Sequence, residues 1–292
     1  MKSQESHIAP TSEVFFYTPS ITAMETFFYP LCTGHFIYEP GYVQKRNSYD
    51  SFLLMYIASG ELTVEYTASD DTSDKIYSRN VSSGHFVLLD CYKPHGYSND
   101  TGWESLWIHF DGPMARAYYD LILSSCGNIF SMSDAYAVLN RLQQIYDIFA
   151  QNKPVKEPLI SKYLTDILTS ILLYSPIHSG TNSHSNTIEE IITFIHEHFT
   201  ENLNIDDLAA RAMLSPYHFI RIFKKETGFT PHEYIINIRL NTAKYLLKTT
   251  DLSIKDICFH TGFSCESVFC AAFKKNVGST PLEYRKFRLG EG

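Results

Sequence analysis

Phe223-Lys-Lys-Glu-Thr-Gly228-Phe-Thr230-Pro231-His-Glu233-Tyr234 returns fifty positions later as Phe273-Lys-Lys-Asn-Val-Gly278-Ser-Thr280-Pro281-Leu-Glu283-Tyr284, with eight of the twelve positions identical. A match of this length at constant offset means that one supersecondary unit is used twice. Each copy carries the same punctuation. Thr-Pro-x-Glu is a helix start, with Thr as N-cap, Pro at the first helical position and Glu as the capping-box partner. Gly228 and Gly278 follow Lys-Lys pairs and read as helix C-caps, where cations suit the negative helix end.

Upstream of each Phe-Lys-Lys lie two short apolar-periodic segments joined by a tight turn. In the first copy they are Ile205–Met213 and Pro216–Phe223, joined through Leu214-Ser215, with Ser215 as N-cap. In the second they are Ile254–Thr261 and Glu266–Phe273, joined through Gly262-Phe263-Ser264. Helix, short turn and second helix make a helix-turn-helix, whose second helix can enter a DNA major groove. Between the copies, residues 231–248 keep helical apolar spacing. That helix would be about 27 Å long, enough to hold two recognition helices roughly one DNA turn, about 34 Å, apart.

These residues resemble the AraC/XylS family of bacterial transcription regulators. The resemblance is carried by Ala209, Leu214-Ser215, Phe223-Lys-Lys, Gly228, Tyr234, Arg239-Leu240, Ala243, Leu246-Leu247, Ile257, Gly262-Phe263, Phe273-Lys-Lys, Gly278, Pro281 and Tyr284-Arg285. It covers Thr187 to about Arg288. It implies a DNA-reading module of two helix-turn-helix units, double-stranded DNA and RNA polymerase as partners, and no catalytic activity or cofactor.

The formal charge of the 292 residues is −8, which at first argues against nucleic acid. Its distribution removes the objection. Residues 1–186 hold 11 Lys+Arg against 19 Asp+Glu, and residues 187–292 hold 13 of each. Positive charge in the C-terminal part is local, at Lys224-Lys225, Lys274-Lys275 and Arg285-Lys286-Arg288. Binding is therefore expected to rest on positioned contacts more than on bulk charge. No leader-like start and no apolar run of membrane-spanning length is present, so a cytoplasmic protein is expected. The six cysteines show neither CxxC nor zinc spacing and read as reduced thiols.

The N-terminal part reads differently. Phe15-Phe16-Tyr17 and Phe27-Phe28-Tyr29 belong either to an arm folding over a pocket or to the first strands of the core. Strand candidates follow at His35–Tyr38, Phe52–Ala58, Glu61–Tyr66, Lys75–Ser78, Phe86–Leu89 and Ser105–Phe110. They are separated by Pro40-Gly41, Ser59-Gly60, Ser69–Asp74, Ser83-Gly84, Pro94-His-Gly96 and Asn99–Gly102. Many short strands at this spacing indicate a barrel or sandwich. The order Arg46, Leu53–Gly60, Ser83–Asp90, Lys93-Pro94-His95-Gly-Tyr97 and Trp103–Gly112 resembles the cupin-like sensor of sugar-responsive AraC members.

Helical spacing follows at Met114–Ser124, Ser133–Gln151 and Glu157–Tyr174. The broad apolar stripe of the last segment serves the core or a second subunit, and the family resemblance favours a homodimer. The expected fold is thus α+β with two domains. Residues 1–112 form a cupin-like β-barrel, 113–175 a helical extension, 176–187 a polar linker, and 188–292 an all-α double helix-turn-helix. Thr187-x-x-Glu190 is expected to cap the first helix of the last part.

Candidate DNA contacts on the first recognition helix are Tyr217, His218, Ile220, Arg221, Lys224 and Lys225. Arg221 matches guanine O6/N7 bidentately or else holds a phosphate. By resemblance, Tyr217, Ile220 and Arg221 occupy the family's base-contacting positions. On the second helix the candidates are Glu266, Ser267, Cys270, Lys274 and Lys275, and Ala271 stands where many members carry Arg. This helix is expected to position the protein on phosphates or to read methyl groups.

In the sensor, Arg46, Tyr97 and Trp107 align by resemblance with ligand-contacting positions. Flat aromatic faces with charged or amide groups suit a sugar, although Trp107 also reads as a core aromatic. His95, after a proline in a turn, is either a ligand contact or structural. A metal site is not expected, because His85, His95 and His109 occur singly, without the His-x-His that a cupin metal site requires. The same gap argues against a metal-dependent cupin enzyme. The function expected is therefore a DNA-binding transcription regulator, an activator of carbohydrate-utilisation genes controlled by a sugar. The alternative is the same regulator with a degenerate sensor, controlled by expression level or a protein partner.

Overall fold

A computed structural model describes residues 6–67, 75–173 and 183–286. The chain divides into two compact units, Met1–Thr181 and Asn182–Gly292. Most of the expected linker, residues 176–182, and the whole of the expected Ser69–Asp74 turn lie outside the described residues.

The first unit runs β1 (Glu13–Phe16), α1 (Ile21–Thr26), β2 (Tyr29–Tyr38), β3 (Tyr42–Arg46), β4 (Phe52–Thr67), β5 (Ile76–Ser82), β6 (His85–Asp90), β7 (His95–Asn99), β8 (Trp103–Asp111), α2 (Ala115–Cys126), β9 (Ile129–Ser131), α3 (Tyr136–Ala150) and α4 (Glu157–Leu173). All of these strand pairs are antiparallel. Strand β4 joins two sheets. Its first half pairs with β6 and β8, and its second half with β5 and β7.

The sequence placed a turn at Ser59-Gly60, yet the chain stays extended there. A register shift between Ile57 and Ser59 bends β4 instead, and Gly60 takes φ 78°. A side chain at Gly60 would collide with the Gly102 carbonyl. A bulge with glycine redirects a strand without ending it. The expected turn at Pro94-His-Gly96 is likewise corrected, because His95 and Gly96 open β7 and pair with Arg46 and Lys45.

Alternation along the strands sends side chains to two different cores. Leu53, Met55, Val87, Leu89 and Trp107 point between the sheets, where they meet Tyr42, Leu62, Val64, Val81 and Tyr97. Phe52, Leu54, Phe86, Leu88, Ile108 and Phe110 point the other way and pack on α2, α3 and α4. Burial on both faces explains why Phe52–Ile57 and Phe86–Leu89 read as continuous apolar runs. The stripe on α4 is used here, since Ile160, Leu164, Ile167, Leu168 and Ile171 are buried in this core.

The second unit is helical: α5 (Ser183–His198), α6 (Ile205–Arg211), α7 (Pro216–Thr227), α8 (Pro231–Thr249), α9 (Ile254–His260), α10 (Glu266–Val277) and α11 (Pro281–Lys286). Helix α5 begins five residues before the expected Ile188, so Thr187 lies within the helix and not at its cap. The Ser/His/Asn composition that suggested a linker disfavours helix only weakly per residue, and Ile188, Ile191 and Ile195 anchor the helix by burial.

The repeat is visible in three dimensions. Gly228 and Gly278 are left-handed C-caps at φ 79° and 86°, each donating its N–H to the carbonyl of Lys224 or Lys274. Thr230 and Glu233 form a reciprocal capping box, and Thr280 and Glu283 make the same pair of bonds. Phe223 meets Tyr234 edge-on at 5.4 Å, and Phe273 meets Tyr284 at 5.5 Å. Ser215 occupies the N-cap of α7 without making a side-chain cap bond. Helix α8 ties the two copies together. Ile235 belongs to the first copy's core, and Leu240, Ala243 and Leu247 to the second's.

Candidate nucleic-acid interface and effector cavity

The recognition helices α7 and α10 each bury two phenylalanines, Phe219 and Phe223 on one and Phe269 and Phe273 on the other, all fully enclosed. That fixes what faces outward. On α7 the exposed residues include Tyr217, Ile220, Arg221, Lys224 and Lys225, with His218 half-buried. On α10 they include Glu266, Ser267, Val268, Ala271, Lys274 and Lys275, with Cys270 half-buried. Spacing of three and four aligns Tyr217, Arg221 and Lys224 in one stripe, and Ser267, Ala271 and Lys274 in the other. The two stripes match in plan and end alike in lysine, but they differ at the first position, tyrosine against serine, and at the centre, where one has a guanidinium and the other a methyl.

In the first unit, a cavity of about 110 Å³ lies between the two sheets. Arg46, Tyr97 and Trp107 all line it, together with Tyr42, Gln44, Tyr49 and His109. His95 does not. It is buried beside the cavity, with Nδ1 against the Lys93 carbonyl at 2.8 Å and Nε2 without a partner.

The inward side chains of β3 are Tyr42, Gln44 and Arg46, every second residue, and Gln44 stands opposite Tyr97 in the register. With the Gln44 amide oxygen turned to Arg46, it accepts from Arg46 Nε at 2.7 Å. The amide nitrogen then donates to the Tyr42 and Tyr97 hydroxyls at 2.9 and 3.1 Å. The Arg46 guanidinium also lies 5.1 Å from the centre of the Tyr49 ring, a cation–π contact. Sequence reasoning missed Gln44, Tyr42, Tyr49 and His109. The alternation Tyr42-x-Gln44-x-Arg46 was the available signal for the first two.

The cavity's titratable groups are held neutral around one cation. Burial, Arg46 and His95 push His109 down to about 3, and its Nδ1 lies 2.8 Å from Ser51 Oγ. Burial raises Cys32 to about 11 and Tyr49 to about 12. Among the described residues, no three His, Cys, Asp or Glu side chains gather as a metal ion would need.

An AraC-like ligand binding domain matches residues 30–168, which include every residue lining the cavity except Val14 and Phe16, and a helix-turn-helix domain matches residues 208–286, which span both recognition helices. The chain belongs to the AraC/XylS family. Some curated relatives match along most of their length. The Msm operon regulatory protein of Streptococcus mutans is 27% identical over 245 residues, covering 81% of this chain and 84% of that protein. The raffinose operon transcriptional regulatory protein RafR of Pediococcus pentosaceus is 24% identical, covering 85% of this chain and 89% of that protein. Among solved structures, the DNA-binding domain of AdpA in complex with a target DNA is 31% identical, covers 36% of this chain and 98% of that chain, and has a TM-score of 0.34. This AraC/XylS member is a DNA-binding transcription regulator with an N-terminal sensor domain. No described helix is long and apolar enough to cross a membrane.

Proposed function

We propose that this regulator activates carbohydrate-utilisation genes when a small sugar occupies the cavity between its sheets. One observation carries the reading. Arg46, Tyr97 and Trp107, far apart in sequence, line one cavity together with Gln44, whose amide links the arginine to two tyrosine hydroxyls. Amide and guanidinium donors beside aromatic faces form the kind of concave, mixed surface that suits a polyhydroxylated ring. At about 110 Å³ the cavity falls below the roughly 300–1,000 Å³ of drug-sized pockets, which favours a single ring. The name of the relative that regulates a raffinose operon agrees with a carbohydrate signal.

In this reading, residues 113–175 extend the sensor, residues from 188 onward read DNA, and the protein works in the cytoplasm as a homodimer that engages RNA polymerase at the promoter. Tyr217, His218, Ile220 and Arg221 contact bases. Lys224, Lys225, Lys274 and Lys275 hold phosphates. Glu266, Ser267 and Cys270 border the second groove. Effector binding changes the population of DNA-competent dimers. The test is a thermal-shift screen of the full chain against mono- and disaccharides, with Trp107→Ala as control. A sugar that raises the melting temperature of the native protein and not of the variant supports the proposal. Absence of any shift, in protein that binds promoter DNA, overturns the sugar and leaves a regulator controlled by its amount or by a protein partner.

A further inference from the structure

The cavity holds one charge and nothing to balance it. Its fourteen lining residues include one arginine and no aspartate or glutamate. Among the described residues no carboxylate forms an ion pair with Arg46, whereas Lys45, its neighbour on β3, pairs with Glu65 at 2.8 Å. Alternation explains the difference. Lys45 points outward to a sheet whose surface supplies a carboxylate, and Arg46 points inward to one that does not.

The neutral partners of Arg46 orient it without discharging it. The Gln44 oxygen takes Nε and Nη2 on one edge of the guanidinium, and the Tyr49 ring lies against it. The Nη1 side of the fork has no partner among the described residues. Both nearby histidines are kept uncharged by burial and by Arg46 itself. A guanidinium in a partly enclosed, largely aromatic site is stabilised most by a ligand that brings the opposite charge, and its planar fork suits carboxylate and phosphate. A neutral ligand would leave the charge uncompensated.

We infer that the effector is an anion, a small sugar acid or sugar phosphate whose charged group sits against Arg46. The inference rests on the sugar-sensor reading and names its ligand class. Carboxylate and phosphate share the chemistry that the site presents, and the experiment separates them.

The two tryptophans of the chain, Trp103 and Trp107, both lie on β8, so selectively excited tryptophan fluorescence reports on this region alone. The full chain is titrated with glucose, galactose and mannose, each as the neutral sugar, the uronic acid and the 6-phosphate. At least one acid or phosphate is expected to bind about ten- to a hundredfold more tightly than its neutral parent, the range set by a charge-assisted bond. Its affinity should fall as salt rises, and that of the neutral sugar should not. Arg46→Gln should remove the preference, and Arg46→Lys should keep part of it. The salt series decides the matter even if Arg46→Gln does not fold. A neutral sugar that binds as tightly as its acid and phosphate overturns the anion and leaves the sugar sensor standing. No saturable signal from any member overturns both.

Discussion

Gly34 lies opposite Trp107 in the β2–β8 register, and a Cβ on Gly34 would stand 2.5 Å from Trp107 Cζ2 and 2.9 Å from the Glu13 carbonyl. The indole therefore rests on the bare backbone of Gly34. This placement puts one face of Trp107 toward the cavity and its Nε1 in a buried position without a partner. Gly34→Ala should push the indole into the cavity. Overpacking of this kind costs about 1–3 kcal/mol. Urea unfolding should show that loss, and Trp fluorescence should shift in the folded state. Unchanged stability and spectrum would mean that the ring relaxes without cost and that the glycine is not required.

His109 makes the sensor acid-sensitive. Its folded value is about 3 against an ordinary 6.5, so below pH 6.5 the unfolded chain takes up a proton that the folded chain refuses. Stability is complete above 6.5 and falls as pH drops toward 3. Between pH 6.5 and 5 the loss from this group is about 2 kcal/mol, undiminished by solvent because the side chain is buried. His95 is lowered in the same direction and adds to the slope. Urea unfolding at pH 7 and pH 5 should show a smaller difference for His109→Asn than for the native chain. Equal differences would assign the acid sensitivity elsewhere.

How much of this was legible in the sequence depends on how local the signal is. The Gly228 and Gly278 caps and the Thr230–Glu233 box are set by backbone groups a few residues away, and they occur where the sequence put them. Arg46, Tyr97 and Trp107 were reached by resemblance, and the fold brings them to one cavity. Gln44 was missed because its importance lies in a cross-strand neighbour, Tyr97, fifty-three positions away. The bend at Ser59-Gly60 read as a turn, because glycine serves a bulge and a turn equally well. Helix α5 outran its expected start because weak local preference yields to a buried apolar face.

The cap geometry predicts unequal costs for two substitutions that look alike in sequence. Thr230 Oγ1 accepts from the Glu233 N–H and the Thr230 N–H donates to the Glu233 carboxylate, whereas Ser215 makes no side-chain cap bond. Thr230→Ala should cost about 1 kcal/mol, and Ser215→Ala only a few tenths. Thermal unfolding of both variants in one buffer makes the comparison. A cost for Ser215→Ala equal to that for Thr230→Ala would show that the α7 cap bond forms in solution.

The mismatch between Arg221 and Ala271 predicts how the two helix-turn-helix units divide the work. A guanidinium in the major groove discriminates guanine by about 1–3 kcal/mol, and a methyl group cannot form that pair. Phosphate contacts, the role proposed for Lys224, Lys225, Lys274 and Lys275, add affinity that falls with salt and carries no sequence. In a selection from random duplexes followed by binding titrations, Arg221→Ala should relax one base position and leave the salt slope nearly unchanged. Lys274→Ala should weaken all duplexes alike and reduce the slope by about one. Single substitutions within residues 266–271 should cost less specificity than Arg221→Ala, while Ala271→Arg should introduce a new guanine preference in the second half-site. The same loss of specificity from both helices would show that α10 reads bases through Glu266, Ser267 or Cys270, and the division of labour would fall.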